Sequence, residues 1–429
     1  MIPGARQLVV GAIVGVMVVS CRGDDGSQGS ASRSTSDQSE VLFDHAVLHE
    51  VAMEISDDDL EQLDPPSDDR VPASLTVDGQ EAHGVGVRLK HGASQYQGLD
   101  EKPGFSIETD EFVDGLELFD VDRFTLGNAT WDHSFVAEQL VYETFRGAGI
   151  PAARTALARV TVNGDTFGLY VMRETYGERW LARWFEDPSG NLYESADGPL
   201  DTDLELRTNE RHGDTGDLAA VVDVVATASD DDYRDAIEEL VDVDELLTYW
   251  AIEAVTAHWD GMVYDITAPG RIPPPVRPEA NSSPNNFYAY HDPETGRFVY
   301  IPHGADLAFG LGSGPDREVD PSTPVLVPPK TNATIAARLW DDPTFRDELA
   351  MRVRWVLDEV WDVEALTERA AQLADVVRED GLAGSRESVT MSDFEDALAD
   401  RTGFLTRRTE AVRAELASWD STHGRGGGG

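Results

Sequence analysis

His258-Trp259-Asp260-Gly261 opens a stretch that closes on Ala305-Asp306-Leu307-Ala308-Phe309-Gly310. Between them lie Asn285-Asn286-Phe287-Tyr288-Ala289-Tyr290, the turn Asp292-Pro293-Glu294-Thr295-Gly296, and Arg297-Phe298-Val299-Tyr300-Ile301. Two aromatic and β-branched runs around an Asp-Pro…Gly turn predict a β-hairpin. Residues 246–259 carry Leu247, Trp250, Ala251, Ala254, Val255 and His258, the pattern of a strongly apolar helix. That helix delivers Asp260 at its C-terminal end, where the dipole disfavours a carboxylate and its presence asks for a reason. Residues 261–284 hold several prolines and form a longer excursion than most loops, of the kind that carries function.

Three oxygen-bearing side chains, Asp260, Asn286 and Asp306, therefore stand at the joints of a helix–loop–hairpin–loop unit. Phosphoryl transfer asks for such a set: one Asp to receive the acceptor hydroxyl proton, an Asn and a second Asp to hold the metal that bridges the phosphates. The order is that of a protein-kinase core, but 25 residues separate Asp260 from Asn286, against about four in the common catalytic loop. Asp265 is a rival for the base.

The stretch resembles the CotH kinases, atypical secreted or spore-coat kinases that carry an Asp after a helix, an Asn-Asn-aromatic strand and a strand after an Asp-Pro turn. The likeness runs over residues 75–320. It implies an α+β, protein-kinase-like bilobal fold, with a β-rich N-lobe over residues 41–177, a helical C-lobe over 178–330 and a helical C-terminal extension over 331–422. The family's usual closing motif is Trp-Asp-Leu-Asp or Trp-Gly-x-Asp. Here His303 replaces Trp and Gly304 the first Asp, while Asp306 is kept. His303 is expected to pack in place of the Trp, with metal binding as the alternative.

Upstream, Arg88-Leu89-Lys90-His91-Gly92-Ala93-Ser94 reads as a strand entering a Gly/Ser loop whose N–H groups and flanking cations suit phosphate. Lysine occurs only as Lys90, Lys102 and Lys330. Lys102 precedes a strand, where the family has a lysine, and is the expected phosphate ligand, with Lys90 its competitor. Helix 133–146, capped by Asp132, supplies Glu138 and Glu143. By analogy one of these, with Glu138 preferred, orients the lysine. Asn163-Gly164 between alternating apolar runs predicts a type I′ hairpin. Its second strand, ending Met172-Arg173-Glu174, matches the family's Gly-x-Tyr-x-x-x-Glu, so the backbone up to Glu174 is expected to face an adenine.

The chain of 429 residues has 81 acidic against 34 basic side chains and a formal charge of −47. Such a surface repels nucleic acid and anionic membranes and is suited to salt. Arg6 followed by apolar residues 8–19 and Val18-Val19-Ser20-Cys21 has the pattern of a lipoprotein export signal. Cys21, the only cysteine, is the expected lipid attachment point, and the polar residues 21–40 the tether. Residues 423–429 read as a disordered tail. No Asp-x-Asp-x-Asp-Gly calcium loop and no Gly-x-Ser-x-Gly elbow is present.

The expected protein is a monomeric, exported, membrane-anchored lipoprotein of the cell envelope or surface. It would use ATP with Mg²⁺ (or Mn²⁺) to phosphorylate Ser or Thr of an envelope protein. The alternative is a catalytically degenerate member acting as an adhesin or envelope scaffold.

Overall fold

A computed structural model describes residues 37–64, 67–90, 96–195, 204–211, 213–266, 283–311, 318–380 and 382–423. The fold is α+β. Strands β1 (Leu48–Glu54), β2 (Val71–Val77), β3 (Gln80–Leu89), β4 (Phe105–Glu108), β5 (Arg123–Gly127), β6 (Thr155–Val162) and β7 (Asp165–Glu174) close into a barrel of order β1-β2-β3-β4-β5-β7-β6. Closure comes from β1 lying parallel to β6; the other pairs are antiparallel. Inward residues alternate, as in β2, where Val71, Ala73, Leu75 and Val77 are buried. They meet Val85, Phe105, Ile107, Phe124 and Met172 in one core. The Asn163-Gly164 hairpin forms as read, with φ of +49° and +80°, the double left-handed step a type I′ turn requires.

A second antiparallel sheet contains β8 (Leu192–Ser195), β9 (Leu204–Leu206), β10 (Phe287–Asp292) and β11 (Arg297–Pro302) in the order β11-β10-β8-β9. The helices are α1 (Ser39–Leu42), α2 (Asp57–Leu63), α3 (Ala137–Gly147), α4 (Glu178–Trp184), α5 (Gly216–Thr227), α6 (Tyr233–Glu238), α7 (Val243–Thr256), α8 (Thr334–Trp340), α9 (Pro343–Trp355), α10 (Val363–Asp380) and α11 (Met391–His423). Helix α7 is buried on nearly all sides and sits in the second core, which the sheet, α3 and the C-terminal helices share. None of the described helices is long and apolar enough to cross a membrane.

Some expectations change. The folded part does not begin with a strand at Val41: α1 comes first and β1 begins at Leu48. The turn at 37–43 belongs to the fold rather than to a tether. Ser39 is fully buried and accepts from Arg154, while Leu42 and Phe43 join the barrel core. Helix α3 starts at Ala137, four residues late, because Asp132 caps across a turn, accepting from the N–H groups of Ser134 and Ala137. Residues 186–216, acidic and rich in glycine, nevertheless contain β8 and β9. Cys21, the export signal, Ser94 and residues 424–429 lie outside the described residues.

Candidate active site

The apolar helix α7 ends at Ala257, whose left-handed φ of +55° turns the chain out of the helix and presents Asp260. Asn286, itself at φ +52°, donates its Nδ2 to Asp260 Oδ2 at 2.8 Å and to the Asp260 carbonyl at 2.9 Å. The neighbouring His303 N–H donates to the Asn286 carbonyl at 3.0 Å, next to the Phe287–Pro302 pair that starts the hairpin. Gly304, at φ +51°, follows, and a Cβ there would come within 2.5 Å of Asn286 Oδ1. Asp306 sits in the short helical turn Ala305–Leu307. Hairpin pairing thus gathers three side chains that the sequence spreads over 47 positions, 260 to 306.

These residues form one wall of a cleft of about 710 Å³; β3, β4, β5, β7 and α3 supply the other. Burial lifts the Asp306 carboxyl to about 7, Glu138 and Asp260 push the same way, and Lys90 and Arg173 pull back. Lys90 follows β3 and is anchored by its backbone N–H to Gly104 O at 2.8 Å. Burial and the repulsion of Arg173 bring its ammonium down to about 8, against Glu138, Asp306 and Glu194. Its Nζ has no hydrogen bond or ion pair among the described residues. Glu138 on α3 pairs with Arg173 at 2.7 Å and accepts from Tyr142 OH at 3.2 Å.

Lys102 does not reach the cleft. It is 4% exposed and bonded to Glu387 at 2.6 Å, with the Phe135 and Tyr170 rings 5.4 and 5.2 Å away. Of the two candidate lysines it is Lys90 that lines the cleft. Glu174 is likewise withdrawn: it is 2% exposed and paired with Arg154 and Arg183. The end of β7 still lines the cleft, through Val171, Arg173 and the following Thr175, while the Glu174 side chain does not. Arg88 lines the cleft and reaches Asp68 at 3.3 Å. Asp265 does not line it, and Glu143 turns away to Arg369 at 2.8 Å. His303 packs edge-on against Tyr288 and Tyr176, with ring centroids 5.2 and 6.1 Å apart. Its burial, with the Arg173 and Lys90 charges nearby, holds it neutral.

Sequence reading missed Arg173. Its signal was available: a charged residue inside a strand buried along nearly its whole length needs a partner. Lys330 was also missed, and nothing local marks it.

Among the described residues no three His, Cys, Asp or Glu side chains are grouped to hold a metal by themselves. On the hairpin side the cleft offers the Asp260 and Asp306 carboxylates and the Asn286 amide, all hard oxygen donors, and Glu138 and Asp260 both crowd Asp306. That donor set fits a small divalent cation whose coordination is completed by phosphate oxygens and water.

The family model described as CotH kinase protein matches residues 90–410. This chain belongs to the CotH kinase family. The match takes in Lys90, all of the cleft lining except Arg70 and Arg88, α8–α10 and most of α11. The chain is similar to inner spore coat protein H of Bacillus subtilis, 21% identical over 261 residues, covering 58% of this chain and 65% of that protein. It is also similar to invasin CotH2 of Rhizopus delemar, 22% identical over 210 residues, covering 44% and 32%. The chain therefore spans less than two thirds of the length of either relative. CotH kinase membership implies a nucleotide and a divalent metal in general terms.

Proposed function

We infer that this CotH kinase family member is an ATP-dependent protein kinase of bilobal design. The barrel acts as the N-lobe, and α7, the second sheet and the C-terminal helices act as the C-lobe. The observation that carries the reading is Lys90, a cleft ammonium with no hydrogen bond or ion pair among the described residues. Lys90 is half-buried and its ammonium is partly desolvated; a cation in such surroundings gains from a ligand that supplies the anion, and phosphate oxygens are the anions a cation of this placement takes in kinases.

In this reading Lys90 holds the phosphates, and the Glu138–Arg173 pair fixes the charge around it. Asn286 and Asp306 hold Mg²⁺ or Mn²⁺. Asp260, oriented by the Asn286 amide, accepts the proton of a Ser or Thr hydroxyl on a protein acceptor. ATP supplies the γ-phosphoryl group. Arg88, which lines the cleft, is assigned to the phosphates with Lys90, and Ser94 is the further phosphate ligand of this reading. The protein is exported and held at a membrane through Cys21, with an envelope or surface protein as its substrate.

The test is thermal unfolding of the full chain with ATP and Mg²⁺ or Mn²⁺, at low and high salt, together with autophosphorylation. Wild type should be stabilised only when metal and nucleotide are both present, and Asp306→Ala should abolish the effect. Asp260→Ala should keep the stabilisation and lose transfer. Folded wild type that neither shifts nor transfers phosphate at any salt concentration overturns the reading.

A further inference from the structure

Lys330 lies directly beneath Asp260 and takes no part in the reaction just described. It is 1% exposed. Its ammonium donates to the Gly261 carbonyl at 2.6 Å and to the Ser283 carbonyl at 3.3 Å, while its own backbone N–H donates to Val263 O at 2.9 Å. The Gly261 carbonyl also accepts from the Asn285 N–H at 3.1 Å. One side chain thus joins the residue after Asp260 to the residues just before Asn286.

A second buried charge completes the support. Glu253, fully buried on α7, accepts from three successive N–H groups, Met262, Val263 and Tyr264, at 2.6, 2.7 and 3.0 Å. A Cβ at Gly261 would come within 2.1 Å of Glu253 Oε1, so only glycine fits between Asp260 and this carboxylate. The charged groups nearest the Lys330 ammonium are Asp260, Glu253 and Asp265, with His258 also close. A carboxylate bound to consecutive amides and a lysine bound to two carbonyls are charge-assisted contacts, stronger and more directional than neutral ones. They fix a turn that contains no regular secondary structure.

We propose that Lys330 is a positioning residue for phosphoryl transfer: its ammonium, seated on the Gly261 and Ser283 carbonyls, holds the Asp260 turn in register with Asn285 and Asn286. It does not touch substrate. This inference rests on the kinase reading for its activity arm and on geometry alone for its structural arm. Because the Lys330 ammonium bonds the Gly261 and Ser283 carbonyls and neither of the metal-holding side chains Asn286 and Asp306, its loss falls on the Asp260 turn and lowers turnover more than MgATP affinity. Charge and donor number both matter, so replacements rank by how much of each they keep.

The experiment compares full-length wild type with Lys330→Arg, Lys330→Gln and Lys330→Met. MgATP affinity is measured by calorimetry and kcat by transfer from ATP to myelin basic protein. Expected is a kcat order of wild type, Arg, Gln, Met, with Met down about 100-fold or more, Arg recovering at least tenfold of that, and MgATP Kd within about threefold throughout. Should Met not fold, Gln carries the test: it keeps donors, loses charge, and should lose at least tenfold in kcat at unchanged Kd. Any folded Gln or Met variant with wild-type kcat overturns the proposal, as does a kcat loss matched by an equal loss of affinity.

If wild type itself transfers no phosphate, the kinase reading fails. The positioning claim is then decided by hydrogen exchange of the Met262, Val263 and Tyr264 amides in wild type and Lys330→Gln. Exchange at least tenfold faster in the variant supports it, and unchanged exchange overturns it.

Discussion

Lys102 and Glu387 stand 285 positions apart and meet as one buried ion pair, Nζ to Oε2 at 2.6 Å, with both side chains at most 4% exposed. Glu387 also accepts from the Leu169 N–H at 3.1 Å. The segment between α10 and α11 is therefore tied to the barrel wall. Glu387→Gln leaves the Lys102 ammonium buried without its counter-charge. Breaking one side of such a pair costs about 3–5 kcal/mol, which denaturant unfolding should register, while MgATP affinity of the folded fraction stays within about twofold of wild type. A variant that unfolds at the wild-type midpoint contradicts the structural role assigned to Lys102.

Lys90→Met should act in the opposite way. Its ammonium is lowered to about 8 by burial, so the charged form is held at a cost in the nucleotide-free protein. Removing it should leave the unfolding temperature unchanged or a few degrees higher, and should weaken MgATP binding at least about 100-fold, on the order of 2.7 kcal/mol. Calorimetry and a melt in the absence of nucleotide read the two effects separately. Loss of stability without loss of affinity would exchange the roles of Lys90 and Lys102.

Gly304 stands where relatives commonly have an acid, so Gly304→Asp tests whether restoring that acid helps. A Cβ there meets Asn286 Oδ1, Cγ and Nδ2 at 2.5, 2.6 and 3.0 Å, and φ is +51°. Asn286 must swing away and release Asp260. The expected outcome is at least a tenfold fall in metal-dependent transfer and about 1–2 kcal/mol of lost stability, seen by kinetics and unfolding. A rise in activity would show that this chain tolerates the family's usual motif.

His258 is fully buried, and burial, with the Lys330 charge beside it, lowers it to about 3 from 6.5. The unfolded chain binds this proton first as pH falls. Its contribution to stability is complete above about 6.5 and is lost as pH falls towards 3, a loss on the order of 5 kcal/mol across the window. Burial raises Glu253 to about 7, and its contribution runs the other way, present below 4.5 and fading as pH rises to 7. Comparing wild type with His258→Asn isolates the first contribution: the variant should lose less stability between pH 6.5 and 4. Parallel acid limbs would count against a buried neutral His258.

Much of the site was legible because its information is local. An all-round apolar helix leading to Asp260, the Asn285-Asn286 pair before an aromatic strand, and the Asp292-to-Gly296 turn each state their structure within a dozen residues, and hairpin pairing then places Asp306. The Asn163-Gly164 turn was readable for the same reason. The choice of lysine was not. Lys102 looked right by its position before a strand, but its surroundings are set by Glu387, far along the chain. Barrel closure through parallel β1 and β6 leaves no signal in either strand. Glu174 was placed on the correct strand but turned the wrong way, because Arg154 and Arg183, which hold it, come from other elements. Residues 37–40 read as tether on composition, and contact of Ser39 with Arg154 and of Leu42 and Phe43 with the barrel core gives this segment its place in the fold.

Arg408 of α11 is fully buried. It donates to the carbonyls of Ala254 and Val255 at the end of α7, to those of Pro321 and Thr323, and to Tyr264 OH. Arg401 reaches Phe309 O, just past Asp306. The last long helix therefore closes the exposed carbonyl end of the helix that carries Asp260. Synthesis runs from the N-terminus, and domains fold as units in that order. The barrel can assemble while the ribosome is still adding the rest. The Asp260 turn cannot settle until Arg401 and Arg408 have been added, so a nascent chain has every strand of the barrel wall of its cleft long before it can order the wall that carries Asp260.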